Sequence, residues 1–246
     1  MKLFRKTRQK LLSEKKVSNY LVYALGEIVL VVIGILIAIQ INDWNRDREL
    51  DQEELKSYKL IIADLKKDST LFKAYQGHYT KYMDTYFLMN HLRKSQGSFK
   101  NTLPDFLVSV VEFNPVTQKN HQIYIEKYRN AQIRDLINTY FRRLNQANQA
   151  TEEFNRLITE ESRPFLLQEN DTFNNKVVFD DTDRTFPPLR GISALDTTKL
   201  KGVFSHQDFL PILSSLRMSL GFYLTSLEFA MVENHKLIKS LESSLE

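Results

Sequence analysis

Residues Leu21 to Ile41, LVYALGEIVLVVIGILIAIQI, decide the architecture, because these 21 positions hold one ionisable side chain, Glu27, and no proline. A bilayer core about 30 Å thick is crossed by roughly 20 helical residues at about 1.5 Å each, so this run is a membrane span. In lipid a lone segment satisfies its own peptide groups only as a helix.

The flanks give the topology. Residues 1–20 carry Lys2, Arg5, Lys6, Arg8, Lys10, Lys15 and Lys16 against Glu14, a net +6, whereas residues 42–56 hold six carboxylates against Arg46, Arg48 and Lys56. The positive-inside rule keeps the N-terminus in the cytoplasm of a bacterial inner membrane and sends residues 42–246 to the periplasm. Tyr20 and Tyr23 stand where interfacial anchors belong at one boundary, and Trp44 at the other. The run is longer than a signal-peptide core, and no small-x-small site follows it, which makes it an uncleaved signal anchor. The basic tail, with Phe4, Leu11 and Leu12 among its charges, reads either as a surface helix on anionic lipid or as a plain topology determinant.

Here the residues carry a resemblance. Tyr23-Ala24-Leu25-Gly26-Glu27-Ile28, Val31 through Ala38, then Gln40-Ile41-Asn42 and Trp44-Asn45 are similar to the N-terminal signature of a family of single-pass membrane proteins common in Bacteroidota and known by a domain-of-unknown-function label. The resemblance implies an inner-membrane protein of no established activity. It supplies no catalytic residues.

The charge distribution excludes one class of partner. The pI of about 9.0 comes from the tail, and residues 42–246 have a net charge of −1, so the translocated part has no basic footprint for nucleic acid. Cysteine is absent, which removes disulfides, Cys-zinc sites and thiol nucleophiles. Seven glycines and six prolines are few for 246 residues and favour long helices.

Periodicity then predicts an all-α domain over 42–246: a transmembrane helix continuing outward into an elongated bundle of three long helices plus short ones. The first long helix continues the span toward Gly97, with Leu55, Tyr58, Ile62, Leu65, Phe72, Tyr75, Tyr79, Met83 and Tyr86 on one face. Short helices are expected over Leu103 to Phe113 and Gln122 to Arg129. The second long helix spans Gln132 to Gln168, with Ile133, Ile137, Tyr140, Leu144, Ala147, Phe154, Ile158 and Phe165 inward and a kink at Pro164. Residues 170–204 read as irregular. A capping box of Ser205 and Asp208 opens the third. Its seam is Leu213, Leu216, Leu220, Leu224, Leu227, Met231, Asn234, Ile238, Leu241 and Leu245, coiled-coil-like with one irregular step. At about 1.5 Å per residue, helices of this size give a bundle on the order of 55 to 75 Å long.

No chemistry stands out. Asp181-x-Asp183-x-Thr185, after Lys176 to Asp180, matches the DxDxT pattern of haloacid-dehalogenase-like phosphatases, but that chemistry needs the first strand of a parallel sheet, and helices surround the motif here. A solvated acidic loop is the default reading of Asp180 to Asp183, with a divalent cation as its alternative. His78, His91, His121, His206 and His235 form no ligand pair on a helix face, so neither a metal nor a cofactor is expected. Glu27 lies about 9 Å into the apolar layer and shares a stripe with Gly34 and Ala38, whose spacing permits close helix packing. A snorkelling or protonated glutamate beside merely compatible small residues is the competing reading.

The expectation is a non-enzymatic, membrane-anchored interaction or scaffold module that binds itself or another membrane protein, with no small-molecule substrate. A subunit of an ion-driven motor or energy-transducing complex using Glu27 is the alternative, by layout alone. About 20 cytoplasmic residues leave no room for an output domain, which argues against a stand-alone receptor.

Overall fold

A computed structural model describes residues 17–100, 102–168, 172–173 and 195–246. Every regular element among them is helical, and the one β-type contact among them is an isolated antiparallel bridge between Phe173 and Leu195. The basic tail and Lys176 to Thr185 lie outside the described residues, as does the side chain of Tyr20. The chain divides into two compact units, Met1–Lys56 and Ser57–Glu246.

The first described element, α1, runs from Val17 to Lys94. Its N-terminal part is long and apolar enough to cross a membrane, and none of that apolar window is buried by protein. Side chains of the kind that make a soluble core face outward here instead: Leu25, Leu30 and Ile33 are all exposed. The acidic flank contains an ion pair between Asp43 and Arg46 at 3.4 Å. Leu55, expected on the core face, is exposed within this first unit.

The second unit is a bundle whose long members are the rest of α1, then α3 (Ala131–Arg156) with its extension α4 (Arg163–Gln168), and α6 (Phe209–Ser243). Two short helices complete it, α2 (Thr117–His121) and α5 (Thr197–Val203). Asn234 on α6 meets Ser69 and Leu65, while Arg217 lies over the Phe87 ring, so α6 runs antiparallel to α1. Tyr140 meets Asp68, and Asn155 meets the chain beside Tyr79, so α3 runs parallel to α1. Asn130 starts α3 by accepting from the amides of Gln132 and Ile133, and Asp196 starts α5 by accepting from Thr198.

Four local expectations change. Leu103 to Phe113 is no helix: a single 3-10 turn, Asp105–Leu107, is followed by chain without regular structure. The short helix expected over Gln122 to Arg129 begins earlier, as α2, and continues as a 3-10 turn through Lys127. Ser205 does not cap α6, because its hydroxyl donates to the Lys201 carbonyl and the helix begins at Phe209. Residues 170–204, expected irregular, contain α5 within their described part.

Pro164 does perturb its helix. It has no N–H for the preceding turn and its ring crowds that turn. The helix widens into a π-turn over Leu157–Ser162, which adds one residue and shifts the apolar phase. Leu166 is therefore the buried residue, and Phe165 is half-buried, stacked on Phe209 at 4.9 Å. The α6 seam is more regular than its sequence suggests. Tyr223, Ala230 and Leu237 are the buried positions where Leu224, Met231 and Ile238 were expected, so burial proceeds from Phe209 to Leu241 in steps of four and three, with Ser226 buried beside Leu227. The displaced residues pack along the edge of the same core.

At the end of α1 the amide of Gly97 donates to the Leu92 carbonyl at 2.8 Å, and that of Gln96 to Arg93 at 3.4 Å. This is a Schellman closure, but the left-handed position is Gln96, with φ 61°, rather than Gly97. A side chain there costs about 1 to 2 kcal/mol, part of which glycine would return as chain entropy. Gln96→Gly should therefore stabilise the chain by about 0.5 to 1 kcal/mol, measured as a raised urea midpoint at constant slope.

Candidate functional site

Between the 3-10 turn and α2 the chain runs as an irregular strap, residues 108–116. Phe106 and Leu107 are buried in the turn before it, Val111 and Phe113 are buried along it, and Phe113 stacks on Phe72 at 5.5 Å. From Val110 to Pro115 the chain makes no backbone hydrogen bond of its own, and no second strand lies beside it among the described residues, so its buried peptide groups need side-chain partners.

Those partners come from all three long helices. Asn155 on α3 accepts from the Val111 amide at 2.8 Å and donates to the Val111 carbonyl at 2.9 Å, so one side-chain amide takes the place of a neighbouring strand. Ser162 donates to the Leu107 carbonyl at 2.6 Å and Arg163 to that of Val108 at 2.7 Å. Tyr79 on α1 accepts from the Glu112 amide at 2.8 Å, while Tyr223 on α6 donates to the Glu112 carbonyl at 3.0 Å. The two rings meet edge-on at 5.5 Å.

Asp68 finishes the strap. It is 0 % exposed, and its carboxyl accepts from the amides of Val116 and Thr117 at 2.7 and 3.2 Å, capping α2 from outside, and from the Tyr140 hydroxyl at 2.9 Å. Asn234 donates to the Tyr140 oxygen and to the Leu65 carbonyl, and accepts from Ser69. One turn earlier on α1, Asp64 accepts from Asn120 at 2.8 Å and pairs with His121 at 3.0 Å. Two carboxylates four residues apart thus hold both ends of the five-residue α2.

The electrostatics follow from burial. Desolvation pushes the hydroxyls of Tyr140 and Tyr223 upward, with the nearby Asp68 charge adding to the first, and holds Tyr79 at about 12. Burial also works to raise Asp64, but hydrogen bonds from Asn120, Lys67 and His121 outweigh it and bring the carboxyl down to about 2. These groups bond to peptides and to one another, and no three potential metal ligands converge among the described residues.

Glu27, Gly34 and Ala38 lie on one exposed face of α1, apart from this network. A Cβ at Gly34 would meet nothing within 4 Å, and Glu27 lines a shallow depression with Ala24, Ile28, Val31 and Val32. Tyr23 is half-buried, and Trp44 is 63 % exposed. Of the histidines, His121 joins Asp64, His78 packs against the Tyr79 and Tyr82 rings, and His206 faces Phe165 and Asp208.

The strap-holding residues are not singled out by sequence, although one signal was present. Asp68 occupies the position between Leu65 and Phe72 that the apolar stripe assigns to a core residue, and a carboxylate there announces buried partners.

A family model described as a family of unknown function (DUF6090) matches residues 27–139. The match takes in most of the apolar run, the strap, and Asp64, Asp68 and Tyr79, and stops one residue short of Tyr140. No curated protein matches the chain, and no solved structure does.

Two outcomes test the strap. Asn155→Ala strands a buried amide and carbonyl at about 1 to 3 kcal/mol each, so it should lower the unfolding free energy by about 2 to 4 kcal/mol in urea titrations. For Asp64 the folded pKa lies below the ordinary 3.8, so its contribution is complete above about pH 4 and is lost as the pH falls toward about 2. That contribution is about 2 kcal/mol, and Asp64→Asn should both remove it at neutral pH and flatten the acid limb of the stability curve.

Proposed function

We propose that the chain is a membrane-anchored interaction or scaffold module without enzymatic activity, held in a bacterial inner membrane as an uncleaved signal anchor. Its N-terminus is cytoplasmic and its second unit periplasmic. The observation that carries this reading is the use made of the buried polar groups. Asp64, Asp68, Tyr79, Tyr140 and Tyr223 each bond the strap, α2 or one another, which is the work of shaping a surface rather than of turning over a substrate.

The orientation is supported by the +6 tail against the acidic residues after the span. Within the membrane, Glu27, Gly34 and Ala38 form the face on which another helix packs. The small residues let backbones approach and the glutamate finds its hydrogen bond across the pair. The same basic tail lies against anionic lipid.

The full-length chain should stay in membranes through alkaline carbonate, and a phosphatase reporter at the C-terminus should be active; release of a shortened soluble form would overturn the anchor. Gly34→Leu should reduce crosslinking between span helices because leucine holds the backbones apart. Glu27→Gln should change it little, since glutamine keeps the hydrogen bond. The reverse pattern, with Glu27→Gln leaving assembly intact but abolishing a potential-dependent activity, would point instead to proton chemistry at Glu27.

A further inference from the structure

Helix α6 has two apolar faces. One is the buried seam that closes the bundle. The other consists of Met218, Phe222, Phe229 and Val232, which are 70, 61, 49 and 45 % exposed. With Thr225 between them these positions follow steps of four and three, and at about 100° per residue they lie roughly opposite the seam. A surface helix of a finished bundle should be polar there, and a continuous exposed apolar stripe marks a contact surface.

The charges beside the stripe say what covers it. On the flank shared with α3, Glu153 and Glu161 stand level with Met218 and Phe222. Arg156, the cation beside them, is already bonded to Glu153, Glu160 and Glu161, so the flank stays negative. Further along the same flank the sign reverses, with the Arg143 guanidinium 5.1 Å from the Phe229 ring. On the flank toward α1 the order is opposite. Arg217, over the Phe87 ring at 5.5 Å, is level with Met218, and Glu228 adjoins Phe229.

We infer that the outward face of α6 is a self-association surface on which a second copy of this chain packs its own α6 about a two-fold axis running along the helix. Such an axis lays each copy's α3 flank against the other's α1 flank at the same level. Arg217 then faces Glu153 and Glu161, Glu228 faces Arg143, and the apolar side chains meet their own copies. A surface with the same sign on both flanks would repel its copy; this one alternates. The inference rests on the reading of the chain as an anchored interaction module and names the occupant of one of its faces.

The natural sequence has no cysteine, so single substitutions report pairing directly. In native membranes under mild oxidation, Thr225→Cys and Met218→Cys should each yield a disulfide-linked dimer of the full chain, and Asn148→Cys, on the opposite side of α3, should not. Adding Phe222→Glu to Thr225→Cys should abolish most of the link with unchanged circular dichroism, and Phe222→Ala should weaken it. A Thr225→Cys chain that remains monomeric while still resisting carbonate extraction would overturn the self-association surface and leave the anchor standing. Met218→Cys linking only to Val232→Cys would overturn the axis, and loss from the membrane would instead count against the anchored module itself.

Discussion

Burying a chain without regular structure among helices is costly unless each of its peptide groups is given a partner, and the rest of the second unit is arranged around meeting that requirement. A helix in the same position would have satisfied itself. The strap cannot, so Asn155, Ser162, Arg163, Tyr79, Tyr223 and Asp68 are placed where its amides and carbonyls need them. Because these come from α1, α3 with its extension, and α6, displacing any one long helix strands backbone groups in a dry interior. The same bonds that seat the strap therefore fix the relative register of the helices.

Side chains answer to that register. The Asn155 pair to Val111 copies the two-bond exchange of a strand ladder, and Asp68 supplies from another helix the cap that the α2 sequence lacks. The π-turn before Pro164 has a comparable effect. By adding a residue it brings Ser162 and Arg163 to the carbonyls of Leu107 and Val108 while Leu166 takes the core position. A proline that would simply kink an isolated helix here helps to set where the strap is held.

The apolar N-terminal helix, long enough to cross a membrane, obeys the opposite rule. In hydrocarbon no side chain needs to rescue the backbone, because the helix bonds itself completely, and the outward residues are free to be uniformly apolar. Polar exceptions then stand out, as Glu27 does. In the second unit an apolar exception stands out for the same reason, since water should cover the outer face of α6 and Met218, Phe222, Phe229 and Val232 face it instead.

What the sequence determined by itself was what local physics repeats along the chain: an apolar N-terminal helix long enough to cross a membrane, and three long helices from apolar steps of three and four. The second of these runs over Ala131 to Gln168, within a residue of its periodic signal. What only the tertiary structure decided was the strap, and with it the roles of Asp64, Asp68, Asn155, Tyr140 and Tyr223. Val116 bonds a carboxylate 48 residues away, Val111 an amide 44 away and Glu112 a hydroxyl 111 away. No window on the sequence spans such pairs. From Val110 to Pro115 the chain has no backbone bonds of its own, so its conformation there is set by partners that exist only once the helices have packed.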